Sequence, residues 1–466
     1  MMTLSLAVRN LLRNRRRSLA TLLAMAIGST AILLFGGYSA NINYTMHTEY
    51  VQSGGHLQIQ HRDFYLYGSG NPTAYAIADY TKIMADIKND EVLKGMVQVM
   101  TPTLQFGGIA GNYAAGVSRT IMGNGLVAED INRMRHWNDF NLRTGSPPFA
   151  LEGSTPDAAI VGTGVARVLL LCDALKIANC PTPDAEAPSY GAKLPDDIAR
   201  LGEIESAPAS KTTAAKDVGR IEVLAGTARG APNVASLQVI RAEEQGFKEL
   251  DEIYVMMHLA QAQKLIYGSA PQKVSSIILQ LSHSDQIPQA IEQLKPILEK
   301  YSKTQPLVVM DFKTLNPFYV QTVQMFDTIF GFIFALIGAI VLFTVGNTMN
   351  TAVVERTVEI GTLRAIGLRR AGIRQLFVTE GALLGLTGAL VGVVLALILS
   401  GIVNQMGLTW AAPGSVVPLP LTLTVWGESR MIAGTTLGLI CIAILSAWVP
   451  AYRAAQLKVV DALRHV

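Results

Sequence analysis

The sequence predicts an α-helical membrane protein with four transmembrane helices plus an α/β extracytoplasmic domain that carries a mostly β inserted lobe. Three observations lead there. Four apolar runs, at about 18–40, 325–349, 378–403 and 431–450, are each close to the ~20 residues a helix needs to cross a bilayer, and none has a charge at its centre. Basic residues gather at one set of flanks. Between the first and second runs, strand and helix patterns alternate.

Residues 1–17 form a cytoplasmic amphipathic segment. Leu4, Val8, Leu11 and Leu12 recur at helical spacing with Arg9 and Arg13 on other faces, which suits either a helix lying on the inner membrane surface or a continuation into the first span. The first span, 18–40, competes with a cleaved signal peptide. Its apolar run Leu19–Phe35 exceeds the about 7–15 residues of a signal core, and the small-residue site at Ser39-Ala40 is poor, so a retained anchor is expected. No strong stop follows until Gly54-Gly55, so the helix is expected to continue outward.

Residues 41–320 form the extracytoplasmic domain. Its α/β part, 55–104 and 251–315, has strands at 56–60, 97–104, 252–257, 274–281 and 307–311, with helices at 79–88, 259–266 and 286–300, implying a sheet packed on one face by helices. The inserted lobe, 105–250, is richer in Gly, Pro and Ala, with short strands near 158–161 and 221–224. Within it, 181–214 has too little apolar periodicity to bury a core and reads as a surface loop. Cys172 and Cys180 are candidates for a small disulfide loop in an oxidising space, the alternative being two unpaired cysteines; Cys441 falls in the fourth span.

A helical pattern beginning near Asn316 runs unbroken into the second span, 325–349. The loop 350–377 then carries Glu355 and Glu359, a like-charge i, i+4 pair, and Gly361 and Gly367, expected to break it into short helical pieces; Arg364 and Arg370 add basic charge. In the third span, 378–403, Gly381, Gly385, Gly388 and Gly392 share one stripe that permits close helix packing, without saying whether the neighbour belongs to the same chain. An outer loop, 404–430, the fourth span, 431–450, and a tail, 451–466, complete the chain.

Orientation follows from arginine. Arg9, Arg13 and Arg15–Arg17 precede the first span, Arg356, Arg364, Arg369, Arg370 and Arg374 lie between the second and third, and Arg453, Lys458 and Arg464 follow the fourth. Positive flanks stay inside, so both termini and 350–377 are cytoplasmic. The overall charge of +3 conceals 24 Lys+Arg against 29 Asp+Glu in 41–320.

Several chemistries are excluded. The chain has no Gly-x-x-x-x-Gly-Lys-Ser/Thr phosphate cradle and no Gly-x-Ser-x-Gly elbow, and His56 and His61, five apart, lie on opposite faces of a strand. A non-catalytic chain without catalytic, cofactor or metal residues is expected. Asp327 and Glu380 sit only at span ends, where solvated carboxylates are common, which argues against an ion-driven carrier. The basic clusters abut membrane spans and lack interleaved aromatics, so nucleic acid is not an expected partner.

The run from Glu355 through Glu359-Ile360-Gly361 and Leu363-Arg364-Ala365-Ile366-Gly367, the opening Leu6 to Arg17, and the tail Pro450 to Ala455 with Ala462-Leu463-Arg464 resemble the permeases of the MacB/FtsX/LolC-type ABC transporter family, here without a fused ATPase domain. Lys458-Val459 depart from it, standing where many members have Asp-Pro. The resemblance implies a multi-pass protein of the cell inner membrane whose segment Glu355, Glu359, Gly361, Arg364, Gly367 and Arg370 docks on a separate ATPase subunit, present in two copies and holding the ATP and magnesium. It also implies a second permease subunit, homodimeric in preference to heterodimeric, membrane lipids, and a periplasmic adaptor or lipoprotein outside. The implied work is extrusion or transfer of a lipoprotein, peptide or amphipathic substrate. A regulatory permease controlling a cell-wall enzyme, and a membrane receptor without an ATPase, are the alternatives.

Overall fold

The computed structural model describes residues 2–13, 15–68, 70–142, 147–177, 219–246, 248–410 and 419–459. The helices of seven residues or more among them are α1 (Met2–Arg13), α2 (Arg15–Gly54), α3 (Tyr80–Asn89), α4 (Ala128–Met134), α5 (Leu259–Tyr267), α6 (Ile287–Glu299), α7 (Pro317–Glu355), α8 (Thr357–Ala365), α9 (Arg370–Met406) and α10 (Ser429–Gln456). The strands are β1 (Leu57–His61), β2 (Val97–Asn112), β3 (Val117–Leu126), β4 (Ala158–Gly162), β5 (Arg220–Gly226), β6 (Pro232–Glu243), β7 (Tyr254–His258), β8 (Ser276–Leu281), β9 (Leu307–Asp311), β10 (Thr409–Trp410) and β11 (Leu419–Pro420). The chain divides into a helix unit, Met1–Met46 with Phe318–Trp410 and Leu419–Val466, and a sheet unit that includes His47–Pro317.

In the helix unit, α2, α7, α9 and α10 are long and apolar enough to cross a membrane. Each contains one of the expected spans and overruns it. The 40 residues of α2 rise about 60 Å, twice the ~30 Å hydrocarbon thickness. The expected outward continuations hold: α2 ends at Gly54, followed by Gly55 at φ +68, and α7 begins at Pro317. The shared core is Met25 and Ile32 from α2, Val341, Val345 and Met349 from α7, Phe377 and Leu384 from α9, and Leu439, Ala443 and Ala447 from α10. Of the four, α7 buries the smallest share of its apolar window, leaving Phe332 and Phe343 exposed, as suits a lipid-facing helix. Helix α1 is separate from α2 and packs along α9 with Ala7 and Asn10 buried, while Val8 and Leu12 face outward.

The sheet unit is organised by β2. Its first half, Val97–Thr103, pairs with β8, and its second half, Leu104–Asn112, pairs with β3 and β5. The pairings β2–β3, β3–β7, β7–β4, β4–β6, β6–β5 and β5–β2 close on themselves, giving a six-stranded barrel, and β2 also leads into an open sheet through β8, β1 and β9. Phe106 fills the barrel beside Gly123, where a Cβ would strike its ring. The expected boundary at 105 therefore falls inside one strand, and β7, assigned to the α/β part, pairs with β3 and β4 of the barrel. Strand β3, interrupted by Gly123 and Gly125, was not among the expected strands, and neither was β6, although its buried Ala235, Leu237 and Val239 alternate with Ser236 and Gln238. The expected loop 181–214 and Cys180 lie outside the described residues.

Helices also cover both faces of the open sheet, where one was expected. All six residues of β8 are buried. Ile277 and Leu279 pack with Ile83 and Ile87 of α3 and Leu294 and Ile297 of α6, whereas Ile278 packs on the other side with Ile131 and Met134 of α4. A strand buried on both faces reads as a continuous apolar run, which hides the second layer from a period-two reading.

The last turns of α2, within this unit, meet a compact aromatic and polar cluster. Gln52 donates to the Trp137 carbonyl at 2.7 Å, and Gln280 donates to the carbonyls of Val51 and Met134. His56 is fully buried; its Nδ1 accepts from the Leu281 amide at 3.0 Å, leaving Nε2–H to donate to Ser284 Oγ at 3.0 Å. Burial, reinforced by neighbouring His47, pushes the His56 imidazole down to about 3. His61 is not brought to it but rests against Tyr75, and no cluster able to hold a metal occurs among the described residues.

Candidate functional site

The segment between α7 and α9 is where sequence pattern and geometry coincide. Helix α7 ends at Glu355, Arg356 leaves helical geometry at φ −104, ψ 19, and α8 follows immediately. The break lies at Arg356 and not at Gly361, which is buried inside α8. Gly367 does end a helix. At φ +103 it turns the chain, the Leu368 amide bonds back to Leu363 and the Gly367 amide to Arg364, and a Schellman motif results.

The charges of this segment are largely answered within the chain. Glu355 pairs with Arg17 at 2.7 Å and Glu359 with Arg13 at 2.5 Å, while Arg364 donates to the Leu457 carbonyl. These half-exposed ion pairs contribute about 0–1 kcal/mol each. The like-charge pair read from sequence is thus neutralised by arginines some 340 positions away. Arg370 is exposed, as are Arg369 and the apolar Val358 and Ile366, the last at 76%.

Behind that outer face lies a group the sequence reading missed. Glu380 is 1% exposed, not solvated as expected for a carboxylate at a span end. It accepts from Asn10 Nδ2 at 2.7 Å and from Arg356 Nη1 at 3.0 and 3.3 Å, and Arg356 Nη2 donates to the Asn10 carbonyl at 3.2 Å. One guanidinium, one carboxylate and one amide residue thereby join α1, the α7–α8 joint and α9. The sequence signal was slight: a glutamate a few positions into an apolar run, with no indication of its partners. Asp327, by contrast, is exposed and lines a cavity of ≈ 230 Å³ with Tyr44, Phe330 and Glu428 at the other end of these helices.

The glycine stripe of α9 faces helices of the same chain, and two different ones. A Cβ on Gly381 or Gly385 would come within 3 Å of Ala447 or Ala443 of α10, and one on Gly388 or Gly392 within 3 Å of Met25 or Ser29 of α2. Thr30 of α2 donates to the Gly392 carbonyl at 3.1 Å. Close approach thus fixes α9 between α2 and α10.

Residues 328–459, which contain α8 and the stripe, match the family described as FtsX-like permease C-terminal. An uncharacterized ABC transporter permease of Methanocaldococcus jannaschii is 25% identical over 231 residues, 49% of this chain and 54% of that protein. The lipoprotein-releasing system transmembrane protein LolC of Neisseria meningitidis is 27% identical over 244 residues, 50% of this chain and 56% of that one. The periplasmic region of MacB from Actinobacillus actinomycetemcomitans aligns with a TM-score of 0.31 and 11% identity, over 57% of this chain and 94% of that structure. The chain spans about half the length of the curated relatives it matches. The resemblance drawn from the 355–367 run and the tail is borne out: this chain is similar to the permeases of ABC transporters.

Proposed function

We propose that this chain is the permease subunit of an ABC transporter complex in the cell inner membrane. Two copies of a separate ATPase bind ATP and magnesium, dock on α8 from the cytoplasm, and drive motions that extrude or transfer a lipoprotein, peptide or amphipathic substrate outside. A second permease copy completes the assembly.

The observation that carries this reading is the two-sidedness of α8. One side is tied into the chain through Glu359 and, just before its first turn, the buried Arg356, while Val358 of the helix, Ile366 just past its end and Arg370 at the start of α9 are exposed, a mixed apolar and basic surface for a protein partner. The similarity to LolC, named for lipoprotein release, supports a cargo of that kind.

The test is reconstitution of the full chain with its candidate ATPase in lipid vesicles. Ile366→Glu and Arg370→Glu alter exposed side chains only, unlike changes at Glu359 or Arg364, which would also break bonds within the chain. Each should weaken ATPase association by about tenfold, the scale of a single interface contact, while insertion and thermal stability stay unchanged. Unaltered association in both variants would remove the end of α8 and the turn into α9 from the docking surface. A wild-type chain that binds no ATPase would favour a receptor, and normal ATP hydrolysis with no cargo moved would favour the regulatory permease.

A further inference from the structure

We propose that α1 is a moving part of the coupling apparatus, and that Arg356 is the positioning residue that binds it, with α8, to Glu380 of α9. The inference rests on the reading that α8 receives force from an ATPase.

Two ties join the same two segments. Asn10 and Arg13 are three apart on α1; Arg356 and Glu359 are three apart on the joint and α8. Asn10 meets Arg356 and Glu380 at 3.2 and 2.7 Å, and Arg13 meets Glu359 at 2.5 Å. Matching spacing on both sides makes a register, so α8 cannot shift along its axis without taking α1 with it or breaking both ties.

The chemistry of the inner tie points the same way. The Arg356 and Glu380 side chains are 7% and 2% exposed. A buried ion pair is on average no more stabilising than well-packed apolar side chains of equal volume, so stability alone does not account for it. Apolar contacts tolerate sliding. A guanidinium bonded to a carboxylate on one helix and a carbonyl on another fixes both distance and angle. Arg356 also occupies the one non-helical position between α7 and α8, where a change in the angle of α8 is concentrated.

The experiment uses the full chain reconstituted with its ATPase. Arg356→Met combined with Glu380→Gln removes both buried charges, keeps the volume, and leaves Asn10 an acceptor. ATPase affinity should stay within about twofold of wild type and cargo movement per ATP should fall about tenfold, the upper range for residues on a coupling route. Arg13→Cys with Glu359→Cys, added to that background and bridged by a bis-methanethiosulfonate reagent long enough to span the side chains it replaces, a gap wider than the about 7 Å limit of a direct disulfide, should restore coupling to within about threefold, and reductant should abolish the rescue. A merely structural role would not respond to a tether at the other tie. Should the charge-free variant fail to fold, Asn10→Leu with Arg13→Ala leaves the Arg356–Glu380 pair and the bond from Arg356 to the residue 10 carbonyl intact, removes both α1 side-chain ties, and should uncouple by about threefold. Wild-type coupling in a folded variant of either kind, or no rescue once the two cysteines are bridged, overturns this inference alone. A wild-type chain that does not associate with the ATPase overturns the reading beneath it as well.

Discussion

Gly381→Ala is a sharp test of how the helix unit is packed. The added methyl would sit within 3 Å of Ala447 Cβ, with the Ala443 carbonyl at 3.3 Å, so either α9 and α10 separate or both backbones strain. Overpacking of this kind costs about 1–3 kcal/mol. Alanine favours a helix over glycine by about 1 kcal/mol, which offsets part of that, so a net loss of up to about 2 kcal/mol is expected, and Gly381→Ala should fall about 1–3 kcal/mol below a glycine-to-alanine change that meets no neighbour. Gly401→Ala, on the same helix but with nothing within 4 Å, feels only the second effect and should be neutral or slightly stabilising. Gly381→Ala with Ala447→Gly moves the methyl across the interface and should return stability to within about 0.5 kcal/mol of wild type. Equilibrium unfolding in mixed SDS and mild-detergent micelles, at two protein concentrations, measures all four proteins. Because the contact is intramolecular, the loss should not depend on concentration. A Gly381→Ala as stable as Gly401→Ala, an unrescued double variant, or a loss that vanishes at high concentration would place the stripe against something other than α10.

Two further outcomes follow from the sheet unit. The folded His56 titrates near 3 against an unfolded value near 6.5, so between those values the unfolded chain binds more protons. Stability contributed by keeping this imidazole neutral is complete above about pH 6.5 and falls by up to about 1.4 kcal/mol per pH unit below it, visible as a steep acid limb in Trp137 fluorescence that His56→Gln makes shallower. His47 and Asp139 face the same ring, so an unchanged slope in that variant would assign the limb to them. Cys172 and Cys180 should be recovered as one linked peptide when protein prepared without reductant is digested and mapped by mass; two separately alkylated peptides would contradict the pairing.

Much of the plan was legible in the chain itself. The four spans followed from apolar runs of bilayer length, and the 355–374 segment from its unusual charge and glycine content between two of them, because both signals are local. Strands β1, β8 and β9 were readable for the same reason: each is a short apolar or alternating run bounded by turns. The closed barrel was not, because closure depends on β2 exchanging partners halfway along its length, and nothing in the run from Val97 to Asn112 marks that point. Nor could the sequence say that Gly381 faces α10 while Gly392 faces α2, since a stripe fixes a face and not a neighbour. Glu380 shows the same limit most clearly. Read alone, it is a carboxylate at a membrane boundary, where water would solvate it. Folding brings Arg356 and Asn10, 24 and 370 positions away, within hydrogen-bond reach, and only their combined charge and donors allow the carboxylate to be buried.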